Sequence, residues 1–303
     1  MSSSSKFEYI TLNNNTKIPP FGFGTYKLEN IPNKIKYALD NGYRLIDTAK
    51  IYKNEEEVGK GINEYLSSHK EIKREDLYIV TKLWQDDHKD PVNALKESLK
   101  RLNLSYVDLY LIHWPLPNFD DNTKKLEKKI PLHIVWEGME KCVELGLTKS
   151  IGVSNFNAQL LLDLCSYAKI LPVINQVEIH PLLQQKKLVK DCNYLNIKLM
   201  AYMPLVRMGQ KIEGKKFDLY NNEKIVNLAK KYNKSSTCII LNWHLHRKII
   251  PIPKANGDEH IKDNILSLDF VMEEDEYKII DEFDQNLRTC LGDCSSYGFD
   301  IFA

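Results

Sequence analysis

Three ionisable side chains stand at the ends of otherwise apolar runs, and a tyrosine follows one of them closely. Tyr43-Arg-Leu-Ile ends in Asp47, Leu77-Tyr-Ile-Val-Thr ends in Lys82, and Val107-Asp-Leu-Tyr-Leu-Ile ends in His113; Tyr52 comes shortly after Asp47. A charge finishing a buried run needs a partner, because taking it out of water unpaired is prohibitive. Asp47 and Lys82 would satisfy each other. An ammonium beside a phenol favours the phenolate, so Lys82 is expected to lower the pKa of Tyr52 from its ordinary value of about 10. Such a tyrosine suits general acid chemistry near neutrality. Taken singly, these residues have competing readings: a structural ion pair, a loop anchor and a satisfied core histidine. Their meeting at one rim would favour chemistry.

For the four to meet, their runs must be neighbouring strands of one polarity. The pattern predicts strands over Pro20–Gly24, Tyr43–Asp47, Leu77–Lys82, Asp108–His113, Lys149–Val153, Val173–Gln176, Lys198–Tyr202 and Ile249–Ile252. Several are almost wholly apolar, as strands buried on both faces should be. Between them lie helical patterns at Asn33–Asn41, Glu55–Ser67, Val92–Leu102, Leu132–Leu145, Ala158–Ala168, Lys186–Leu195 and Ser236–His246, with a further one at Glu274–Phe283. Eight such units over about 250 residues predict an α/β fold, a single (β/α)8 TIM barrel with its active site at the C-terminal ends of the strands. An open doubly wound sheet is the competitor, but it would bring a Gly-rich first turn that this chain lacks. Tyr9–Leu12 and Lys17–Pro19 flank an Asn-rich turn and predict an N-terminal β-hairpin closing the barrel floor. Leu287–Ala303 reads as an irregular C-terminal tail, and with no linker composition in between, residues 1–303 read as one domain.

Two motifs fail on context. Gly22-Phe-Gly24 starts like a dinucleotide fingerprint but Lys27 stands where its last glycine belongs, and no helix opens there. Tyr78-Ile-Val-Thr-Lys82 has the tyrosine–lysine spacing of short-chain dehydrogenases, where the pair lies on a helix; here it lies in a predicted strand.

Arg44-Leu-Ile-Asp47-Thr-Ala, Tyr52-Lys-Asn-Glu55, Thr81-Lys82-Leu-Trp84, Leu111-Ile-His113-Trp-Pro115, Ile151-Gly-Val-Ser154-Asn155-Phe156, Asn175-Gln176-Val-Glu178 and Ile252-Pro-Lys254 resemble successive signatures of the aldo-keto reductases, in order and at family spacing. The resemblance runs from about Phe7 to the C-terminus. It implies hydride transfer from NADPH to a carbonyl carbon. By match, Tyr52 would protonate the developing alkoxide, Lys82 paired with Asp47 would tune it, and His113 would orient the carbonyl oxygen. A forming oxyanion needs donors already aimed at it, which agrees with that set.

The cofactor positions carry over likewise: Ser154, Asn155 and Gln176 to the carboxamide, Tyr202 to the nicotinamide face, Thr25 and Leu205 to further contacts, Lys254 to the 2′-phosphate, and Asp263 and Asn264 to the adenine end. Three positions depart from the family pattern: Ala255 replaces a serine, His260 an arginine, and Met203 a serine. A neutral histidine at position 260 does not replace a bidentate guanidinium. NADPH is expected because Lys254 remains, with NADH as a competing donor. Tyr26, Trp84 and Trp114 match substrate-lining positions, with Ile51 beside them and the tail around Cys290-Leu291 as a lid. Trp136-Glu-Gly-Met-Glu-Lys141 and the end of the chain from Tyr297 to Ala303 resemble the xylose reductases and the hexose-6-phosphate reductases of plants, and Lys53 beside Tyr52 resembles the latter, where a basic residue suits a phosphate. Aldehydes or aldoses are thus the expected substrates, with a sugar phosphate as the narrower alternative. A catalytically idle binding or structural member of the family is the alternative of another class.

Composition bounds the rest. The 303 residues carry a net charge of +1, too little basic surplus for a nucleic-acid partner. The polar start Met1–Lys6 offers no secretory h-region, and no apolar run suggests a membrane span, so a cytoplasmic protein acting on a small-molecule carbonyl compound, as a monomer or weak homodimer, is expected. Cys142, Cys165, Cys192, Cys238, Cys290 and Cys294 follow neither disulfide nor metal spacing and read as reduced thiols. No metal-ligand cluster is visible, and Lys124–Lys129 reads as a solvated loop.

Overall fold

The computed structural model describes residues 6–116, 130–206 and 218–290, and the backbone alone at 211–212 and 215–216. The Lys124–Lys129 stretch, Cys294 and the tail beyond Cys290 lie outside the described residues.

The strands are β1 (Ile10–Thr11), β2 (Lys17–Ile18), β3 (Gly22–Gly24), β4 (Leu45–Asp47), β5 (Tyr78–Leu83), β6 (Val107–Ile112), β7 (Thr148–Ser154), β8 (Ile174–Glu178), β9 (Lys198–Tyr202), β10 (Lys211–Ile212), β11 (Lys215–Lys216) and β12 (Ile250–Pro251). The helices are α1 (Ile31–Asp40), α2 (Glu55–Ser68), α3 (Pro91–Leu102), α4 (Leu132–Glu144), α5 (Ala158–Tyr167), α6 (Lys186–Tyr194), α7 (Glu223–Tyr232), α8 (Ser236–His246), α9 (Asp258–Ile265) and α10 (Glu274–Asp281). Eight parallel strands, β3 to β9 and β12, are paired in chain order. The Gly24 N–H donates to Pro253 O at 3.0 Å and joins the first strand to the stretch after the last, so the sheet closes. Gly24 is demanded there, since a Cβ would stand 2.9 Å from Ile252 O. This is the (β/α)8 barrel the pattern predicts.

Two helices were absent from the sequence expectation. The first, α7, carries buried Ile225, Leu228 and Ala229 on one face, and the Asn222 side chain caps it by accepting from Lys224 N. The second, α9, is short, has no side-chain cap, and buries only Ile261 and Asn264.

Strand alternation sorts the core into two layers. Leu45, Val80, Leu109, Leu111, Ile174 and Met200 fill the barrel interior, while Ile46, Ile79, Tyr110, Ile151 and Val153 face the helices. The same alternation continues to the strand ends and aims Asp47, Lys82 and Gln176 inward. Hairpin residues Leu12 and Ile18 belong to the interior cluster and seal its N-terminal end. The hairpin turn is held by Asn14 Nδ2 donating to Ser150 Oγ and Asn13 Nδ2 to Pro172 O, both at 2.9 Å. Among the described residues, no helix is long and apolar enough to cross a membrane.

Candidate active site

Lys82 ends the inward face of β5 and is fully buried. Its Nζ donates to Asp47 Oδ1 at 2.6 Å, to Thr48 O at 2.8 Å and to the Tyr52 hydroxyl at 3.4 Å. Asp47 receives a second donor, Gln176 Nε2, on Oδ2 at 2.8 Å. An ammonium has three protons and no lone pair. All three are therefore directed by the protein, and Tyr52 accepts from Lys82 while its own O–H proton points elsewhere.

Tyr52 lies in a 3-10 turn, Lys50–Tyr52, that leads into α2. Local bonds fix that turn to the rim. Thr48 Oγ1 donates to Asn54 Oδ1 at 2.8 Å, and Asn54 Nδ2 donates to Thr25 O at 2.9 Å. Glu55, the first residue of α2, is buried and accepts from Thr81 Oγ1 at 2.6 Å and Arg101 Nε at 2.8 Å. Because Thr81 precedes Lys82, these bonds register the tyrosine against the lysine. Lys50 pairs with Asp87 across the mouth.

His113 follows β6 and is buried. Its ring meets that of Tyr52 edge-on at 5.7 Å and that of Trp84 at 5.2 Å. Tyr26 stacks obliquely on Tyr52 at 4.9 Å and is 46% exposed, so it stands at the opening. Trp84 is half-buried, Trp114 buried, and Ile51 and Lys53 exposed at the same mouth.

Electrostatics correct one expectation. Tyr52 is not acidified: burial pushes its hydroxyl well above the ordinary value, and the Asp47 carboxylate pushes the same way. The physical reason is that Asp47 sits closer to Lys82 than the phenol does and neutralises the charge that would have favoured a phenolate. Burial pulls the Lys82 ammonium down, opposed by Asp47. Burial, with the Lys82 charge nearby, holds His113 well below its usual range, so its ring is neutral.

Beside this group, Ser154 Oγ donates to Gln176 O at 2.7 Å, and Asn155 Nδ2 donates to His113 O at 3.0 Å and Ser154 Oγ at 3.1 Å. Asn155 holds a left-handed backbone, φ 63°, where asparagine is tolerated better than most residues. The Tyr202 hydroxyl donates to Asn155 Oδ1 at 2.7 Å. Ser154, Asn155, Gln176 and Tyr202 thus form one linked wall of the same rim. Thr25 is buried, with its hydroxyl donating to Asp47 O at 2.9 Å. Leu205 is half-buried and its carbonyl accepts from Tyr220. Lys254 and His260 are exposed, beyond β12 and on α9. Asp263 accepts from Ser235 Oγ, and Asn264 is buried.

Sequence reasoning gave no role to Thr48, Asn54 or Glu178. Strand alternation could have found Glu178, two positions beyond Gln176 on the same inward face; the loop bonds of Thr48 and Asn54 leave no periodic trace.

A model of the aldo/keto reductase family matches residues 22–285. Aldose reductase C of Dictyostelium discoideum is 41% identical over 297 residues, which cover 92% of this chain and 90% of the relative. Aldo-keto reductase family 1 member A1-A of Danio rerio is 38% identical over 301 residues, covering 92% and 90%. The crystal structure of the Bombyx mori aldo-keto reductase AKR2E4 in complex with NADP is similar with a TM-score of 0.89 at 38% identity, covering 97% of this chain and 98% of that one.

Proposed function

Since the chain belongs to the aldo/keto reductase family, we propose that it reduces aldehydes or aldoses to alcohols with NADPH, Tyr52 delivering the proton. The observation that carries this reading is the Tyr52 hydroxyl 3.4 Å from Lys82 Nζ, itself locked on Asp47 at 2.6 Å, at the C-terminal rim and beside His113.

The side chains fit a nicotinamide dinucleotide. The Ser154 hydroxyl, the Asn155 and Gln176 amides and the Tyr202 ring form one polar wall with an aromatic face, and Lys254 is exposed to pair with a phosphate. Bound NADPH would supply the hydride to the carbonyl carbon. The chain's own residues handle the oxygen and its proton. Burial keeps the Tyr52 phenol protonated, the charge state a general acid needs. As negative charge grows on the carbonyl oxygen, the Tyr52 O–H proton moves to it. The phenolate left behind accepts from the Lys82 ammonium, which is already aimed at it and needs no reorganisation. The neutral His113 ring can place an N–H on the same oxygen without adding a competing charge. The apolar, aromatic mouth formed with Tyr26, Trp84 and Trp114 limits water, which strengthens each of these interactions.

Replacing Tyr52 by Phe keeps the ring contacts and removes the proton donor. Turnover is expected to fall by roughly 10²–10⁴-fold, with NADPH affinity, read by quenching of tryptophan fluorescence, almost unchanged. Undiminished aldehyde-dependent NADPH oxidation by the variant would refute the assignment.

A further inference from the structure

We propose that Glu178 is a positioning residue: its carboxylate straps Arg288–Cys290 against the barrel rim and so fixes one edge of the carbonyl-binding cleft. The strap itself is independent of the reductase reading; its consequence for substrate rests on that reading.

Glu178 ends β8 on the inward face, is fully buried, and takes no part in the proton path described above. A buried carboxylate needs several donors to remain charged. Oε1 accepts from His180 Nε2 at 3.0 Å, from Thr289 N at 2.9 Å and from the Thr289 hydroxyl, and Oε2 accepts from Cys290 N at 2.9 Å. Arg288 Nη1 stands 3.9 Å from Oε2. All but the histidine come from three consecutive residues of a segment more than a hundred positions away in sequence. Burial opposes the charged form, yet the donors, His180 first, prevail and hold the Glu178 carboxyl below its ordinary range. Hydrogen bonds to an ionised acceptor are about twice as strong as neutral ones, so the carboxylate is a strong tie for this segment.

The tie leads to the site. Upstream, Gln285 N and Leu287 N both donate to Leu182 O, and Leu287 packs with Leu182 and Ile240, so the segment is laid along the barrel before it reaches Glu178. At Glu178 it turns over Met203, with Thr289 Oγ1 3.4 Å from Met203 Sδ. Met203 adjoins Tyr202, whose hydroxyl holds Asn155. Behind burial, the Cys290 thiol is among the groups that push the hydroxyls of both Tyr52 and Tyr202 up. Releasing Glu178 would therefore move a wall of the cleft without touching the Tyr52–Lys82–Asp47 group.

Glu178→Gln preserves size while turning an amide donor toward donors. The test is limited trypsin digestion followed by mass spectrometry, because Arg288 lies inside the strap and cleavage after it releases residues 289–303. Release is expected to be about tenfold or more faster in Glu178→Gln than in wild type, at unchanged thermal midpoint, and intermediate in Thr289→Val, which removes the hydroxyl donor alone. Should Glu178→Gln not fold, the Thr289→Val comparison decides. Wild-type rates of cleavage after Arg288 overturn the strap. With glyceraldehyde as substrate, KM is expected to rise several-fold in Glu178→Gln while kcat and NADPH affinity hold. A released segment with unchanged KM overturns the cleft-edge role. Wild-type protein that reduces no aldehyde overturns the reductase reading, and the digestion still decides the strap.

Discussion

Charge state at the rim is set first by burial and then by which neighbour is closest. Asp47, at 2.6 Å from Lys82 Nζ, takes the ammonium's field before Tyr52 can feel it at 3.4 Å. The two effects on the tyrosine thus run opposite to the expectation from residue types alone: the phenol stays protonated, and the lysine's contribution comes only when charge develops. The histidine is likewise kept neutral by burial. Neither group changes charge in the neutral range. For Tyr52 the sign is that its acid form persists above the ordinary 10.0, and for His113 that its basic form persists below the ordinary 6.5. kcat/KM for aldehyde reduction is therefore expected to be flat from about pH 6 to 8. A pH profile of initial rates at saturating NADPH checks this; an inflection near the free histidine value would show that His113 titrates and that its neutral role is wrong.

The Tyr52 turn is only as well placed as the helix behind it. Helix α2 begins three residues after Tyr52 and is seated by Gly59, where a Cβ would lie 2.2 Å from Leu102 O at the end of α3. No side chain can yield there, because the obstacle is backbone. Gly59→Ala must push α2 away from α3, and overpacking of this kind typically costs about 1–3 kcal/mol. A lowered urea midpoint is expected, together with reduced turnover as the turn shifts; a midpoint equal to that of wild type would mean the helices separate freely. Element by element, the sequence was legible where a run is apolar through most of its length. Lys198–Tyr202 and Ser236–His246 were read with their observed bounds. The α7 stripe, by contrast, rests on three buried positions, Ile225, Leu228 and Ala229, among polar residues. Helix α9 is a different case: with two buried positions in eight residues, it owes its place to packing rather than to an apolar stripe.

Across the whole molecule, closure of the sheet buries groups that no local pattern marks. His244 lies on α8, wholly buried, with Nε2 bonded to Pro204 O at 3.0 Å, and burial pushes its pKa down to about 3. The unfolded chain protonates this ring near 6.5, the folded chain only near 3. Between those values the unfolded state binds the extra proton. The stability His244 supports is thus fully present above about pH 6.5 and is lost as pH falls, by about 1.4 kcal/mol per unit. Urea unfolding measured between about pH 7 and 5 should lose stability less steeply in His244→Gln than in wild type; parallel slopes would contradict the buried neutral state.

Strand alternation and the residues that close each apolar run were enough, from the sequence by itself, to say that Asp47, Lys82 and His113 share a rim, because the side-chain period of a strand is a property of the backbone. Motif order added the family resemblance and, with it, the role of Tyr52 as proton donor to a carbonyl oxygen. What the tertiary structure decided was distance and burial: that Lys82 directs its shortest bond to Asp47, that burial, with Asp47 beside it, holds Tyr52 protonated, and that Glu178 meets Thr289 and Cys290. These depend on which chain segments exclude water from which atoms, and exclusion of water is a property of the closed barrel that no single run of residues carries.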